Sequence, residues 1–307
     1  MERRRIGSLE VSVVGLGCNN FGWRIDKQAT KAVIDAALAS GINFLDTADM
    51  YDTGKSEEFM GEALRGRRKE VVLATKFGFS MGDGKSGAKP AYVREALDAS
   101  LRRLGVDHID LYQIHTPDPA TPIADTLGTL NDLVKAGKIR EIGCSNFSAD
   151  QLREAEAAVK PGAARFVSVQ NEYSLFHRAP EADVLPQCKK SGVAFIPYFP
   201  LANGLLTGKY RKGQPLPANS RGKDAFGPTV FTERNLDVIE SLLRFAALHG
   251  HSLLELAISW LAAQDTVPSV IAGAKTPEQA KMNARAGGWK FTKAELAEVD
   301  EIVLQSA

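Results

Sequence analysis

The chain has 307 residues, of which 44% are hydrophobic and 24% are charged, an ordinary balance for a globular protein. Its 38 lysines and arginines almost cancel its 37 acidic residues, so no basic excess exists to bind phosphates and we expect no nucleic-acid partner. No apolar run of about 18 residues occurs and residues 1–15 lack the apolar core of a signal peptide, so we expect no membrane partner and a cytoplasmic location.

The cysteines and histidines form no metal-binding pattern. Cys18, Cys144 and Cys188 are far apart and lack CxxC spacing, which is typical of reduced thiols in a reducing compartment. The five histidines form no ligand pair with carboxylates on adjacent strands, so we expect no metal and regard a metal hydrolase as the least favoured class.

Short apolar segments alternate with amphipathic ones along the whole chain. Eight of them are predicted strands, at residues 14–18, 43–46, 71–76, 109–115, 139–145, 166–171, 193–198 and 268–274. Continuous apolarity is expected where helices cover both faces of a parallel sheet. This pattern predicts an α/β protein with a single (β/α)8 TIM-barrel domain spanning residues 1–307. Residues 4–6 and 11–13, joined by Gly7-Ser8, predict an additional N-terminal β-hairpin.

The segments between the strands carry the signals of helix ends. Asp26 is a predicted N-cap, and Pro90 stands at a predicted first helical position. Helical patterns also occur at 232–248, 253–264 and 293–303. With them the chain has two helices more than the eight that a barrel needs. Two further predicted helix starts have capping-box spacing, Ser148 with Gln151 and Thr276 with Gln279. Residues 203–231 lack periodicity and are predicted to form a lid or binding loop.

Four chemically suited side chains stand at or just after the ends of three successive barrel strands, the face where barrel enzymes hold their active sites. Asp46, Lys76 and His115 end strands, and Tyr51 follows Asp46 in the next loop. A phenol has an unperturbed pKa near ~10, and a neighbouring ammonium makes its proton easier to donate. Lys76 can supply that ammonium with Asp46 as its counter-charge, and His115 can orient a carbonyl oxygen. Each residue singly has a structural explanation, but the group of four favours catalysis.

Several separated motifs resemble the aldo-keto reductase superfamily across essentially the whole chain. They are Leu-Asp-Thr-Ala at 45–48 with Tyr51, Ala-Thr-Lys at 74–76, Leu-Tyr-Gln-Ile-His at 111–115, Gly-Cys-Ser-Asn-Phe at 143–147, and the segment 198–208. The resemblance implies that Tyr51 protonates a carbonyl oxygen while a reduced nicotinamide delivers hydride. It also implies that Lys76 and Asp46 tune the tyrosine and that His115 positions the carbonyl group.

The resemblance also implies a set of cofactor-binding residues. Those matching the family's nicotinamide, pyrophosphate and adenosine contacts are Ser145, Asn146, Gln170, Tyr198, Pro200, Leu201, Gly204, Leu206, Gly273, Lys275, Gln279 and Asn283. Gly15, Gly17 and Gly22 do not have the spacing of a Rossmann fingerprint. We interpret Gly17 as part of the first strand-end turn, which lets Cys18 and Asn19 approach the nicotinamide.

The expected cofactor is NADPH, with NADH as an alternative. Many family members place an arginine where this chain has Gln279, in order to grip the 2′-phosphate. Lys275 is the main nearby cation, and a lysine binds phosphate as a point charge without the bidentate fork of arginine. We therefore predict NADPH with weaker discrimination against NADH than is usual.

Aromatic residues after the strand ends predict an apolar substrate pocket. Phe21, Trp23 and Phe77 are the predicted wall, with Phe79 equally consistent with ordinary packing. The expected partner is a small aldehyde or ketone, and the expected state is a monomer or weak oligomer. Two other functions stay open. One is a non-catalytic cofactor-binding auxiliary subunit, and the other is a Schiff-base lyase that uses Lys76 as its nucleophile.

Overall fold

A computed structural model describes residues 1–82, 84–215 and 230–304. Eight parallel strands form a nearly closed barrel in which neighbours in the chain are neighbours in space, and the last strand pairs with the first. They are β3 (Val14–Gly17), β4 (Phe44–Asp46), β5 (Val72–Phe77), β6 (Ile109–Ile114), β7 (Ile139–Ser145), β8 (Phe166–Glu172), β9 (Ala194–Tyr198) and β10 (Val270–Gly273). The predicted (β/α)8 fold is confirmed.

An antiparallel hairpin closes the bottom of the barrel. Its strands are β1 (Arg3–Ile6) and β2 (Leu9–Ser12), paired from Ile6 opposite Leu9 through a turn at Gly7 and Ser8. The hairpin was predicted, although its second strand begins two residues earlier than expected. Its buried side chains pack with the residues that point into the barrel, forming a cluster of Ile6, Leu9, Val11, Phe44, Val72, Ala74, Leu111, Ile196 and Ile271. This apolar floor leaves the opposite end, where the strands have their carboxyl ends, for ligands.

Ten helices are defined in the described part of the chain. They are α1 (Lys27–Ala39), α2 (Lys55–Ala63), α3 (Pro90–Leu104), α4 (Ile123–Lys135), α5 (Ala149–Ala158), α6 (Val184–Ser191), α7 (Glu233–Leu248), α8 (Leu253–Ala262), α9 (Pro277–Arg285) and α10 (Lys293–Leu304). Helices α7 and α10 pack against each other and are the two that the barrel repeat does not require.

The predicted helix starts are present with one difference in detail. Asp26 accepts a hydrogen bond from the N–H of Ala29 at 2.9 Å, and Ser148 with Gln151 forms a complete capping box. At α9, Thr276 accepts from the N–H of Gln279, but the Gln279 side chain accepts from the N–H of Lys275. The reciprocal half of that predicted capping box is therefore shifted by one residue, which ties Gln279 to the loop before the helix.

The predicted loop at 203–231 begins as an ordered part of the barrel top. A 3-10 turn spans Ala202–Thr207, and Leu205 and Leu206 are completely buried in the core. Residues 216–229 of this predicted loop lie outside the described residues. Among residues 1–82, 84–215 and 230–304, no helix has the length and apolarity of a membrane span, and no three His, Cys, Asp or Glu side chains gather as a metal site would need.

Candidate active site

The barrel registers bring Lys76 and Asp46 together in its interior. Asp46 at the end of β4 lies opposite Ala74, two residues before Lys76 on the neighbouring strand β5. Because side chains alternate along a strand, Ala74 and Lys76 point to the same side. The Lys76 ammonium donates to Asp46 Oδ2 at 2.6 Å and to the Thr47 carbonyl at 2.8 Å. The exposed fractions of the Lys76 and Asp46 side chains are 0% and 2%, so this is a buried ion pair.

The second carboxylate oxygen of Asp46 is held by two amides from distant strands. Gln113 on β6 donates to Oδ1 at 3.1 Å, and Gln170 on β8 donates to the same atom at 2.9 Å. Both oxygens of Asp46 are thus occupied and its orientation is fixed. Gln113 was not among the predicted site residues. The signal was available, since strand alternation places Gln113 on the same side of β6 as His115.

Tyr51 stands over the ammonium of Lys76. Tyr51 begins a 3-10 turn directly after the β4 loop, and Lys76 Nζ lies 5.3 Å from the centre of its ring. Burial raises the pKa of Tyr51, and the charge of Lys76 opposes that rise. Burial alone would lower the pKa of Lys76, but Asp46 and the Tyr51 hydroxyl outweigh it and the pKa lies above its usual value. Lys76 is therefore an ammonium at neutral pH.

His115 is a neutral imidazole beside the tyrosine. The two rings meet edge to face with their centres 5.9 Å apart. Burial, assisted by the charge of Lys76, lowers the pKa of His115 to about 2. Asn146 holds the His115 backbone by donating to its carbonyl oxygen at 2.9 Å. A neutral imidazole carries one N–H, so His115 can donate a hydrogen bond without carrying charge.

Backbone strain is concentrated at this end of the barrel. In the described ranges, six residues other than glycine have a positive φ, and all of them lie at or beside the site: Asp52, Thr53, Asn146, Phe199, Ala202 and Asn203. Asp52 and Thr53 directly follow Tyr51, with φ of 47° and 54°. Such conformations cost of order ~1–3 kcal/mol each and cluster at functional sites. The strain marks the barrel mouth as the functional surface.

A cavity of about 570 Å³ extends from Tyr51 and His115 to the start of α9. Almost all predicted cofactor residues line it, namely Gly17, Cys18, Asn19, Ser145, Asn146, Gln170, Tyr198, Pro200, Leu201, Gly204, Gly273, Lys275, Gln279 and Asn283. Leu206 is the exception, because its side chain is completely buried in the core. The cavity has the size and the mixture of apolar surface with a few fixed polar groups that ligand sites show.

The polar groups near Tyr51 are held in a chain of hydrogen bonds. Ser145 Oγ donates to the Gln170 carbonyl at 2.7 Å, and Asn146 Nδ2 lies 3.3 Å from Ser145 Oγ. The Tyr198 hydroxyl donates to Asn146 Oδ1 at 2.8 Å. This arrangement fixes a hydroxyl and an amide beside an aromatic ring, which fits the carboxamide and the ring of a nicotinamide.

The far end of the cavity fits a phosphate-bearing group. Lys275 precedes the N-terminus of α9, where the helix dipole favours an anion. Asn283 is buried and donates to the Gly273 carbonyl at 3.2 Å. Lys209 also lines the cavity and was not predicted, with its ammonium 4.9 Å from the centre of the Tyr210 ring. Its position directly after the Gly204–Gly208 segment was the available signal.

The predicted aromatic wall is arranged differently in the structure. Phe21 and Phe77 are completely buried in the core, and Phe77 stacks on Tyr112 with ring centres 4.8 Å apart. Trp23 is 64% exposed, lies under the guanidinium of Arg24, and does not line the cavity. Phe79 does line it, with its ring centre 4.5 Å from that of His115. The reason is strand alternation, since Phe77 follows the inward-pointing Lys76 and therefore faces the helices.

Comparison with known proteins identifies the family. A sequence profile of the Aldo/keto reductase family matches residues 13–304. The aldo-keto reductase yakc [NADP(+)] of Schizosaccharomyces pombe is 36% identical over 313 residues, covering 97% of this chain and 90% of that protein. The uncharacterized oxidoreductase YqkF of Bacillus subtilis is 35% identical over 292 residues, covering 93% of this chain and 91% of that protein.

A solved structure supports the same assignment. The glycerol dehydrogenase AKR11B4 from Gluconobacter oxydans superposes with a TM-score of 0.86 at 32% identity, covering 99% of this chain and 95% of that one. The profile match and the long, collinear relatives agree with the barrel and the cavity described above. The chain therefore belongs to the aldo/keto reductase family and is an oxidoreductase that acts on carbonyl and alcohol groups.

Proposed function

We propose that this enzyme reduces aldehydes and ketones to alcohols with NADPH, in a reversible hydride transfer for which Tyr51 is the general acid. The observation that carries the proposal is the buried Lys76–Asp46 pair, whose ammonium lies 5.3 Å from the ring centre of Tyr51 at the wall of a ligand-sized cavity. The name of the S. pombe relative includes NADP(+), which supports this choice of cofactor.

The residues of the chain divide the chemistry among them. A bound reduced nicotinamide supplies the hydride. Tyr51 donates its phenolic proton to the carbonyl oxygen, and the Lys76 ammonium stabilises the phenolate that this leaves. Asp46 holds Lys76 charged and in place through the 2.6 Å contact. The neutral imidazole of His115 donates a hydrogen bond to the carbonyl oxygen and aligns it. In the reverse direction the phenolate accepts the proton of the alcohol.

The cofactor contacts that we propose follow the cavity. Ser145, Asn146 and Gln170 would hold the carboxamide, and the ring of Tyr198 would contact the nicotinamide. Gly17, Cys18 and Asn19 would also contact the nicotinamide, and Pro200, Leu201 and Gly204 would hold the pyrophosphate. Lys275, Gln279 and Asn283 receive the adenosine end. The Gln279 side chain is uncharged, and its oxygen accepts a hydrogen bond from the N–H of Lys275 at 2.8 Å. Gln279 therefore offers no positive charge to a 2′-phosphate. NADPH is favoured, and NADH remains usable.

The substrate that we propose is a small carbonyl compound with an apolar substituent, taken by an enzyme that is a monomer or weak oligomer. Phe79 supports this class, because its ring is partly exposed in the cavity beside His115. A Schiff-base lyase is disfavoured, since the Lys76 amine is fully buried, protonated and already bonded to Asp46 and Thr47. A non-catalytic auxiliary subunit is disfavoured by the complete set of Asp46, Tyr51, Lys76 and His115.

Turnover with a simple aromatic aldehyde tests the proposal. The expected result is NADPH oxidation that depends on the aldehyde and yields the alcohol. Tyr51→Phe is expected to lower kcat by about 10²–10⁴-fold, the usual contribution of a general acid, while NADPH affinity stays near normal. Full activity in Tyr51→Phe would refute the role of the tyrosine. Borohydride trapping of a substrate adduct on Lys76 would instead support the lyase.

A further inference from the structure

A second buried acidic residue lies in the loop that carries Tyr51. Asp49 stands between Asp46 and Tyr51 and is only 1% exposed. Its backbone N–H donates to the Lys76 carbonyl at 3.1 Å, and the Tyr51 N–H donates to the Ala48 carbonyl at 3.2 Å. The backbone of Asp49 thus links the loop that carries Tyr51 to strand β5, which carries Lys76.

The carboxyl group of Asp49 lacks hydrogen-bond partners among the described residues, and Asp49 does not line the cavity. Among the described residues neither of its oxygens makes a hydrogen bond of good geometry, and the nearby Met50 N–H only partly offsets its burial. The buried hydroxyl of Tyr112 on β6 also has no partner there. Burying a polar group without a hydrogen bond is costly, and burying it as an ion costs far more.

The group of helix α2 whose charge acts on Asp49 is another carboxylate, that of Glu57. Glu57 is completely buried, accepts from Thr75 Oγ1 at 2.6 Å, and is paired with Arg103 of α3 at 2.7 Å. Its two oxygens are therefore already bound, whereas those of Asp49 are not. The charged and titratable groups around Asp49 are Glu57 from α2, Arg103 and Tyr92 from α3, Tyr112 from β6 and Lys76 from β5.

These surroundings favour the neutral acid at position 49. Burial, followed by the charge of Glu57, raises the pKa of Asp49 to about 7, against the weaker opposing effects of Arg103 and Lys76. Arg103 cannot serve both carboxylates equally, because it is committed to Glu57. Ionisation of Asp49 adds a second buried negative charge that repels Glu57, which is unfavourable unless the carboxylate gains solvent.

We propose that Asp49 is a positioning residue for Tyr51: ionisation drives its buried, unpartnered carboxyl group toward solvent and shifts the backbone that carries Tyr51, so that this positioning depends on pH. The expected effect on kcat rests on the proposed reductase function, whereas the expected effect of pH on stability does not. A displacement of a catalytic group by about 1 Å can cost on the order of 10²-fold in rate. Ionisation of Asp49 should therefore lower kcat above neutral pH, well before Tyr51 itself ionises.

The first experiment needs no turnover. Thermal unfolding is measured from pH 5 to pH 8 for the wild type, Asp49→Asn and the control Asp98→Asn, which alters an exposed aspartate on α3 paired with Lys138. An acid whose folded-state pKa is raised loses stability as pH rises toward that pKa. The Tm of Asp49→Asn relative to that of the wild type should therefore increase as pH increases. The Tm of Asp98→Asn relative to the wild type should not change in this way. If the difference in Tm between Asp49→Asn and the wild type is the same at every pH, Asp49 is not a buried acid with a raised pKa.

The second experiment records kcat for the aromatic aldehyde across the same range and up to pH 9. The wild type and Asp98→Asn should lose activity through an inflection near pH 7, and Asp49→Asn should lack that inflection. An unchanged profile in Asp49→Asn would overturn the positioning role even if the unfolding result holds. Absence of turnover in the wild type would overturn the reductase proposal and with it the positioning role, and unfolding would still decide whether Asp49 titrates.

A second variant covers the case in which Asp49→Asn does not fold. Glu57→Gln keeps the acid at position 49 and removes the carboxylate whose charge acts on it. The inflection in kcat and the pH-dependent part of the Tm should both move to lower pH, because Asp49 then ionises more easily. An inflection that stays at the wild-type pH would contradict the proposed effect of Glu57 on Asp49.

Discussion

The ammonium of Lys76 lies 2.6 Å from Oδ2 of Asp46, and both side chains are withdrawn from solvent. Such a pair is costly to assemble, because two ions lose their hydration, but it is far more costly to break on one side only. The pair is therefore a structural element of the barrel centre as well as part of the site, and stability measurements can detect it independently of activity.

Removing the ammonium should destabilise the fold. Lys76→Met leaves Asp46 as an unpaired buried charge, so we expect a loss of about 3–5 kcal/mol in the free energy of unfolding measured with urea. Adding Asp46→Asn to that variant should recover part of the loss. The control is Lys138→Met, which breaks the exposed pair with Asp98 and should cost at most about 1 kcal/mol. Equal losses in the two lysine variants would show that the buried pair does not contribute as described.

His115 should make the protein less stable in mild acid. Its imidazole has a pKa of about 2 in the fold and near 6.5 when unfolded, so the unfolded state binds more protons between these values. The stability contributed by neutral His115 is present above the unfolded pKa and is lost as pH falls below it. The Tm of His115→Gln should therefore decline less than that of the wild type between pH 7 and pH 4.5.

The comparison for this prediction is His251→Gln, which alters a partly exposed histidine that does not line the cavity. That variant should follow the wild-type dependence of Tm on pH. If the Tm of both glutamine variants falls as steeply with pH as that of the wild type, the neutral state of His115 does not cause the loss of stability in acid.

The choice between NADPH and NADH should depend on Lys275. Lys275→Ala should raise KM for NADPH more than KM for NADH, because only NADPH has the 2′-phosphate that the ammonium can reach. Gln279→Arg should increase the preference for NADPH, since a guanidinium forms two parallel hydrogen bonds to phosphate. The ratio of kcat/KM for the two cofactors is the measurement. A Lys275→Ala enzyme with the wild-type ratio would refute this assignment of the phosphate site.

Phe79, rather than Phe77 or Trp23, should control how tightly apolar substrates bind. Phe79→Ala removes part of an apolar wall, and a loss of about 1 kcal/mol corresponds to roughly a fivefold rise in KM for an aromatic aldehyde. KM for a short aliphatic aldehyde should change less. Trp23→Ala is the matched control, because its ring lies outside the cavity. A larger rise in KM for Trp23→Ala than for Phe79→Ala would support the substrate pocket predicted from the sequence instead.

Local patterns in the sequence determined the barrel and most of its candidate active site. Apolar segments separated by capped helices specify parallel strands, and strand ends specify where Asp46, Lys76 and His115 lie along the chain. The helix cap at Asp26 and the capping box at Ser148 depend on neighbours three residues away, so the sequence alone was enough to predict them.

Only the tertiary structure decided which side chains meet across the barrel and which face the cavity. Asp46 is held by Gln113 and Gln170, which are 67 and 124 residues away, and that contact depends on the registers of five strands. Likewise, Phe77 is buried and Phe79 borders the cavity because the last strand residue faces the helices and the loop beyond it turns over the mouth. The surroundings of Asp49 arise in the same way, since only the packing of α2 on the barrel brings Glu57 near enough for its charge to act on this buried carboxyl group.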